Sequence, residues 1–416
     1  MKSVMVNTKR PRVQMPALWH NRDYMILWSG QAVSLVGTGI TQTAFPLLVW
    51  DLTHSAFQVG LVGAMGLLPY IFLSLLAGAL IDRWDRKRVM ILCDSGRALN
   101  LVSLLVALLI GHLVILQLYL NAVIEGMLFV FFNIAEVASL PQVVAKAQLP
   151  TATSQSEATG GIAWLLAPLL GGVLYSLRQL LPFLADASSY VVSVCSLLLI
   201  RMKFQQERIS THHRIVADIR EGLGWLWHQP LIRYMAFLTG GWNFASGGFI
   251  PILIVLVKQQ HGSSVLYGTI LTIGGVGGIL GALLASSIQK RFRFGPVIIS
   301  IIWLQALLWP LYALVPNLIL IGVVFALGYI AGPIYNVILL SYRLALIPEA
   351  LQGRVNSVFR LIAFGFQPLG WALTGLLIQT IQVIPTILFI SSVFLTLAIL
   401  TTCNPHVRHA QPVMAS

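Results

Sequence analysis

Long apolar runs recur along this chain from one end to the other, separated by short polar punctuation. The segments 24–50, 52–81, 98–124, 158–177, 234–257 and 259–289 contain no Asp, Glu, Lys or Arg. Two longer charge-free stretches, 294–342 and 361–407, each have room for two helices, with Val315-Pro316-Asn317 and residues 380–385 as natural breaks. A hydrocarbon core about 30 Å thick takes roughly 20 apolar residues per helix. The pattern therefore predicts an all-α membrane protein of about twelve transmembrane helices.

The sizeable polar stretch, from Arg201 to about Gln229, lies near the middle and reads as a seam between two halves. Within it Ile215, Ile219, Leu223, Leu226 and Trp227 recur at helical spacing against Asp218, Arg220 and Glu221, which predicts a linker helix on the membrane surface. Internal similarity supports the seam. Ala77-Gly78-Ala79-Leu80 is echoed by Leu280-Gly281-Ala282-Leu283, Phe132-Asn133-Ile134 by Tyr335-Asn336-Val337, and Pro168-Leu169 by Pro368-Leu369, at offsets of 203, 203 and 200 residues. A near-constant offset indicates a duplicated six-helix unit, an architecture in which transporters place the substrate site at the repeat interface. The expected organisation is a tail over 1–23, a six-helix bundle over 24–201, a linker over 202–232, a second bundle over 233–403 and a tail over 404–416.

Composition sharpens this. Of 416 residues, 57% are hydrophobic and 9% charged, against roughly 25% charged in a soluble domain. The formal charge of +13 would suit nucleic acid, but its distribution argues otherwise. With the N-terminus inside and the spans alternating, nearly every Lys and Arg falls on the cytoplasmic side, and only Arg178 and Lys258 fall outside. That is the positive-inside asymmetry, so both termini are expected in the cytoplasm and the basic partner is the lipid bilayer of an inner membrane. Residues 1–23 hold Lys2, Lys9, Arg10, Arg12 and Arg22 but no apolar core, and read as a tail rather than a cleaved signal peptide. Cys93, Cys195 and Cys403 are widely spaced, which fits neither a disulfide framework nor a metal site. No metal or cofactor is expected.

The most specific motif is Gly78-Ala79-Leu80-Ile81-Asp82-Arg83-Trp84-Asp85-Arg86-Lys87-Arg88, between the second and third spans. Gly78 permits close approach of helices, and Asp82 beside Arg83 and Arg86 can make charge-assisted contacts to a neighbouring helix end. Such contacts suit a gate; a plain basic anchoring loop would explain the cations but not Gly78 and Asp82. The segment resembles the G-x-L-x-D-R-x-G-R-[RK] loop of the major facilitator superfamily. Asp85 in place of the usual Gly is similar to the branch containing enterobactin and macrolide exporters. Ala44-Phe45-Pro46-Leu47-Leu48, Leu52-Thr53-His54-Ser55-Ala56 and Pro348-Glu349-Ala350-Leu351-Gln352-Gly353-Arg354-Val355-Asn356 extend the resemblance over the whole chain. Ala167-Pro168-Leu169-Leu170-Gly171-Gly172 is similar to the G-P-x-x-G-G segment of the family's antiporters, with Ala167 replacing the first Gly. Its physical content is a Pro168 kink with Gly171 and Gly172 permitting tight contact.

The resemblance implies an Arg within the fourth span, as in many proton-coupled drug antiporters, and this span has none. It carries Glu125 and Glu136, which eleven residues of helix place on nearly one face, with Asn133 about 60° away. Glu136, toward the cytoplasmic end, is read as a gate residue within reach of the loop 83–88. Glu125 is read as mid-membrane, about 12 residues from either helix end, where an ionised carboxylate costs at least ~2.5–3.5 kcal/mol and marks a proton or substrate path. A protonated, structural Glu125 is the alternative. Glu125, Asn133 and the repeat counterpart Asn336 are assigned to the substrate cavity. Asp94 and Arg97, at the inner start of the third span, are expected to pair with each other, and Asp51 and Asp186 to be solvated near the outer face.

The function that follows is a secondary transporter exporting small amphipathic molecules by alternating access, with proton antiport and a monomeric chain. An importer of the same fold and a non-transporting scaffold or sensor are the alternatives. A nucleotide-driven pump would need a G-x-x-x-x-G-K-[ST] loop, and an intramembrane enzyme an H-E-x-x-H or G-x-S-x-G motif; the sequence contains none of them.

Overall fold

The computed structural model describes residues 18–202, 204, 215–348 and 351–410. Lys203, Arg208, His212, His213, Arg214, Glu349 and Ala350, the side chains of Ile215, Asp218 and Ile219, and the tails at 1–17 and 411–416 lie outside the described residues.

Among the described residues twelve helical spans are long and apolar enough to cross a membrane. The first six are α1 (Arg22–Thr53), α2 (Ala56–Ile81), α3 (Arg86–Ile110), α4 (Ile115–Val143), α5 (Leu149–Leu177) and α6 (Leu181–Leu199). The surface helix α7 (Ile215–His228) follows. The seventh span is α8 (Pro230–Gly247) with α9 (Phe249–Gln259), the eighth α10 (Ser264–Arg291), and the ninth α11 (Phe294–Leu308) with α12 (Leu311–Leu314). The tenth is α13 (Leu318–Leu346), the eleventh α14 (Gln352–Gly365) with α15 (Gln367–Ile381), and the twelfth α16 (Val383–Cys403), before a last turn, α17 (Pro405–Arg408).

Short polar residues start these helices by capping free backbone amides. The side chains of Asn21, Ser55, Asp85, Ser263 and Asn317 accept from the amides of Tyr24, Gln58, Arg88, Leu266 and Ile319. Asp85, the departure from the loop consensus, thus has a local purpose: it starts α3 and pairs with Arg88 at 3.5 Å. The sequence anticipates the breaks at 315–317 and near Gln382 but not three others. The seventh, ninth and eleventh spans are interrupted at Gly248, at Trp309-Pro310 and at Phe366, each within three residues of Pro251, Pro310 or Pro368, whose rings remove a helix donor. Pro46, Pro69 and Pro168 sit inside unbroken helices of the first half.

Packing follows the duplication. In the first half α2 lies on α4, α1 on α5 and α6, and α3 on α6; in the second α10 lies on α13, α8 on α15 and α16, and α11 on α16. The two halves meet along α2 with α15 and α5 with α10. Leucines such as Leu92, Leu99, Leu109, Leu283, Leu307 and Leu400 stay exposed on the outside, as a lipid-facing belt requires. Glycines make the closest crossings, because a membrane offers helices little hydrophobic drive beyond packing. A Cβ on Gly277 or Gly281 of α10 would sit 2.1 or 2.2 Å from a carbonyl oxygen of α13.

The surface helix does more than lie on lipid. Leu226 is buried, Gly222 packs against the Arg354 backbone of α14, and Glu221 binds Arg354 at 2.5 Å. Leu223 and Trp227 stay exposed.

Candidate functional site

The first half encloses a cluster of ionisable groups drawn from four helices. Gly30 and Gly37 let α1 press against Ser196 and Ser189 of α6, which brings Thr38 within 3.0 Å of the Tyr190 hydroxyl. Arg97, buried on α3, donates from Nε and Nη2 to Glu125 Oε1 of α4 at 2.8 and 2.5 Å. Its Nη2 also reaches Thr38 at 3.3 Å, and the Tyr190 hydroxyl donates to the same carboxylate oxygen at 3.2 Å. The guanidinium lies 4.3 Å from the Tyr190 ring centroid, a cation–π contact worth ~2 kcal/mol when desolvated. Thr38, Arg97, Glu125 and Tyr190 therefore close a ring around one oxygen. Oε2 of Glu125 has no hydrogen-bond partner.

Asp94 sits one turn before Arg97, 3.7 Å from its Nη1, and takes a 2.5 Å hydrogen bond from Ser193, itself bonded by Gln31. Asp186 is 1% exposed; it accepts from Ser189, and its Oδ2 has no partner. Asp94, Glu125 and Asp186 thus share one first-half core with Arg97.

Several expectations need correction. Arg97 is not at the inner start of its span: it lies eleven residues into α3, roughly 16 Å along the axis. Its main partner is Glu125, with Asp94 the longer contact. The cation missing from α4 is supplied by the neighbouring helix. Glu125 lies ten residues from the start of α4 and eighteen from its end, nearer the end opposite the loop 83–88 than expected. Asp186 is buried rather than solvated. Asp51 is half-buried between Lys258 of α9 at 2.7 Å and the Tyr175 hydroxyl of α5 at 2.8 Å.

The loop 83–88 is braced inside its own half. Arg86 is buried, donates to the Ala138 carbonyl of α4 at 2.7 Å and pairs with Asp82 at 3.5 Å. Lys87 holds the Ile200 carbonyl at 2.6 Å. The loop therefore reaches the end of α4 through a backbone oxygen and not through Glu136, which makes no ion pair among the described residues. Asp82 and Arg83 are exposed, and a Cβ added at Gly78 would meet nothing within 4 Å, so here this glycine brings no helix close.

Helical geometry separates the faces of α4. Leu116, Leu120, Ile124 and Met127 form one exposed row, and Glu125, Phe129, Glu136 and Asn133 lie on the other side at 100° per residue. In the repeat, Asn336 is exposed and Gly332 meets nothing within 4 Å.

The seam between the halves is tightly packed at one end. Away from the loop 83–88, Gly172 packs on Gly268 and Ser264, Gly60 and Gly375 on Trp371 and Ala56, and the Asp51–Lys258 pair spans the seam. Pro168 offers its carbonyl to Gly268, while Gly171 meets α1; the two adjacent glycines thus serve two different neighbours. Toward the basic end the packing is looser: a Cβ added at Gly160 or Gly161 of α5 would meet nothing within 4 Å, while Arg360 and Phe364 of α14 still touch Tyr70 of α2.

The fold is that of known transporters. The nucleoside transporter NupG superposes with a TM-score of 0.74 over 94% of this chain and 100% of that one, at 14% identity. A bacterial homologue of the iron transporter ferroportin scores 0.72 in its inward-facing state (14% identity, 91% and 98% covered) and 0.59 in its outward-facing state (15%, 91% and 98%). In sequence, the multidrug efflux pump Tap of Mycolicibacterium fortuitum is 28% identical over 89% of this chain and 93% of its own length. The enterobactin exporter EntS of Salmonella typhi is 25% identical over 82% of each. Macrolide efflux protein A of Streptococcus pyogenes is 27% identical over 49% of this chain and 51% of its own. A family model described as transmembrane secretion effector matches residues 17–415, and the chain belongs to that family of major facilitator superfamily transporters.

Proposed function

We propose that this chain exports a small amphipathic molecule from the cytoplasm by alternating access, driven by protons moving the other way. The observation that carries this reading is the Arg97–Glu125 pair: a charged contact at the border of the central space, with one carboxylate oxygen engaged and the other without a partner. The two halves, 24–201 and 233–403, rock about the space between them. The basic end faces the cytoplasm, as the loop charges favour, so the conformation described is inward-open, in an inner membrane and with both termini inside.

Glu125 is the coupling carboxyl. A proton on it removes the charge that holds Arg97 and leaves a weaker, neutral acceptor, so the guanidinium shifts its weight toward Asp94 and Thr38. Loss of the proton restores the ring. Two arrangements of one buried cation can bias two arrangements of the packed helices, provided the proton binds them unequally. Asn133 and Asn336 supply neutral polar contacts to the substrate from opposite halves. Asp82, Arg83, Arg86, Gly78 and Glu136 act as a gate: Asp82 and Gly78, without a partner helix here, close on the second half in the outward-facing state. Pro168, Gly171 and Gly172 keep the α5 seam tight. The chain works as a monomer, and the efflux pumps named among its relatives support the direction.

The test is flux into proteoliposomes under an imposed pH gradient, with a macrolide and enterobactin as first probes. Glu125→Gln keeps the side chain's size but cannot ionise; it is expected to bind substrate and to lose gradient-driven flux. Undiminished flux in that variant overturns the coupling assignment.

A further inference from the structure

Among the described residues one ion pair joins the two halves, and it lies at the closed end. Asp51, near the end of α1, receives Lys258 of α9 on Oδ1 at 2.7 Å and the Tyr175 hydroxyl of α5 on Oδ2 at 2.8 Å. Ser55 also donates to Gln379 Oε1 across this end at 3.0 Å, a neutral contact; the crossings beside it are of a different kind. Gly172 on Gly268, Gly60 on the Trp371 carbonyl and Gly375 on the Ala56 carbonyl are backbone-to-backbone crossings, which fix shape but have little hydrophobic drive in lipid. The pair is half-buried, with side chains 29% and 24% exposed, so it is partly shielded yet within reach of water. The duplication does not reproduce it. At the offset of 203, Asp51 corresponds to Ile254 and Lys258 to Ser55, so the pair is a single asymmetric addition across a pseudo-symmetric seam.

We infer that Asp51, Lys258 and Tyr175 form the latch that holds the outer end shut in the inward-open state and must part before the chain can open outward. Lys258 is contributed by the half that moves away, so opening this end pulls its ammonium from the carboxylate and hands both groups to water. Tyr175, on the same half as Asp51, stays with it and keeps the carboxylate aimed at the seam. The latch biases the equilibrium without touching substrate or the Arg97–Glu125 ring. This inference rests on the alternating-access reading, and its test separates the two.

Spin labels are placed on cysteines at Arg178 and Gln260 for the outer end and at Lys146 and Arg293 for the basic end, with Cys93, Cys195 and Cys403 replaced by alanine. Distances are read by pulsed electron resonance in lipid nanodiscs without substrate. Asp51→Asn and, separately, Lys258→Met are expected to raise the ratio of outer-open to outer-closed molecules about tenfold, a shift of about 1.4 kcal/mol, with the basic-end distance shortening in step. Tyr175→Phe moves it in the same direction by less. The exchange Asp51→Lys with Lys258→Asp is expected to return the ratio toward that of the parent. Unchanged outer distances in both single variants, while the basic end still moves, overturn the latch alone. An exchanged pair no more closed than the singles overturns it as well. Distances fixed at both ends in every variant, including with a pH gradient across liposomes, overturn alternating access itself.

Discussion

The two halves share a fold and differ in what fills it. The first packs Asp94, Arg97, Glu125 and Asp186 around Thr38 and Tyr190, with Glu136 farther along α4. At the offset of 203, Asp94, Arg97, Glu125 and Glu136 become Val297, Ser300, Gly328 and Leu339. In the second half rings take the place of charges. Trp242 stacks on Tyr335 at 5.2 Å and meets Phe394 edge-on, Trp309 stacks on the same Phe394, and Phe249 lies on Phe325 at 4.0 Å. Its buried cation, Arg343, rests on the Phe359 ring and forms no ion pair among the described residues. A duplicated frame thus holds a half with a buried cluster of ionisable groups against an aromatic, charge-poor one. The second half also has the interrupted spans. The ionisable cluster and the interrupted helices thus fall in different copies.

The division can be broken by substitution. Arg97→Ala is expected to have the largest effect, because it leaves Glu125 and Asp94 in a buried site without their cation; breaking such a pair costs ~3–5 kcal/mol. Thermal unfolding in detergent would read it, and Arg97→Lys should not restore transport, since an ammonium cannot donate from two nitrogens to one carboxylate and lie on a ring. Trp242→Ala in the other half is expected to cost ~3 kcal/mol by opening a cavity while leaving the response of flux to a pH gradient intact. If it abolished coupling, the halves would not be divided as described. Gly277→Ala should cost ~1–3 kcal/mol, as overpacking does, because its new methyl meets the Ala326 carbonyl at 2.1 Å; Gly160→Ala, facing open space, should be neutral or slightly stabilising by the same melt. The smallest effect is expected for Asp85→Ala, a lost cap worth ~1 kcal/mol, seen as a small drop in melting temperature with transport retained.

The span count, the duplication and the family were legible because each rests on local pattern: hydropathy, a repeated offset, a contiguous loop. The cluster was legible only in part. Glu125 stood out as an acid in an apolar run, but its partner did not, because Arg97 lies only eleven residues beyond the basic start of α3 and reads as one more loop cation. The signal was there in the count, since a helix starting at Arg86 carries residue 97 deep into the bilayer. Tyr190 and Thr38 gave no signal, as an aromatic and a hydroxyl in apolar helices are ordinary residues until packing brings them together. The same holds for Lys258 and Asp51, 207 positions apart in sequence. The breaks at Gly248 and Phe366 were missed because the apolar runs continue through them.

The crossing of Gly172 with Gly268 also sets a mechanical ratio. The backbones of α5 and α10 touch there, close to the outer surface, and α5 continues from that point to Leu149 at the other surface. The two helices stay together beyond that point, with Thr272 donating to the Leu165 carbonyl at 3.1 Å and Gly275 lying against Trp164 and Leu165. The arm of α5 free of α10 therefore runs from about Trp164 to Leu149, roughly 22 Å by helix rise. If the halves rock about this seam as proposed, each degree of rotation carries the basic-end tip of α5 sideways by roughly 0.4 Å at that rise. A side chain at either glycine would part the two backbones at the outer end of the seam, so it is the bareness of these two positions that lets the seam serve as a fulcrum.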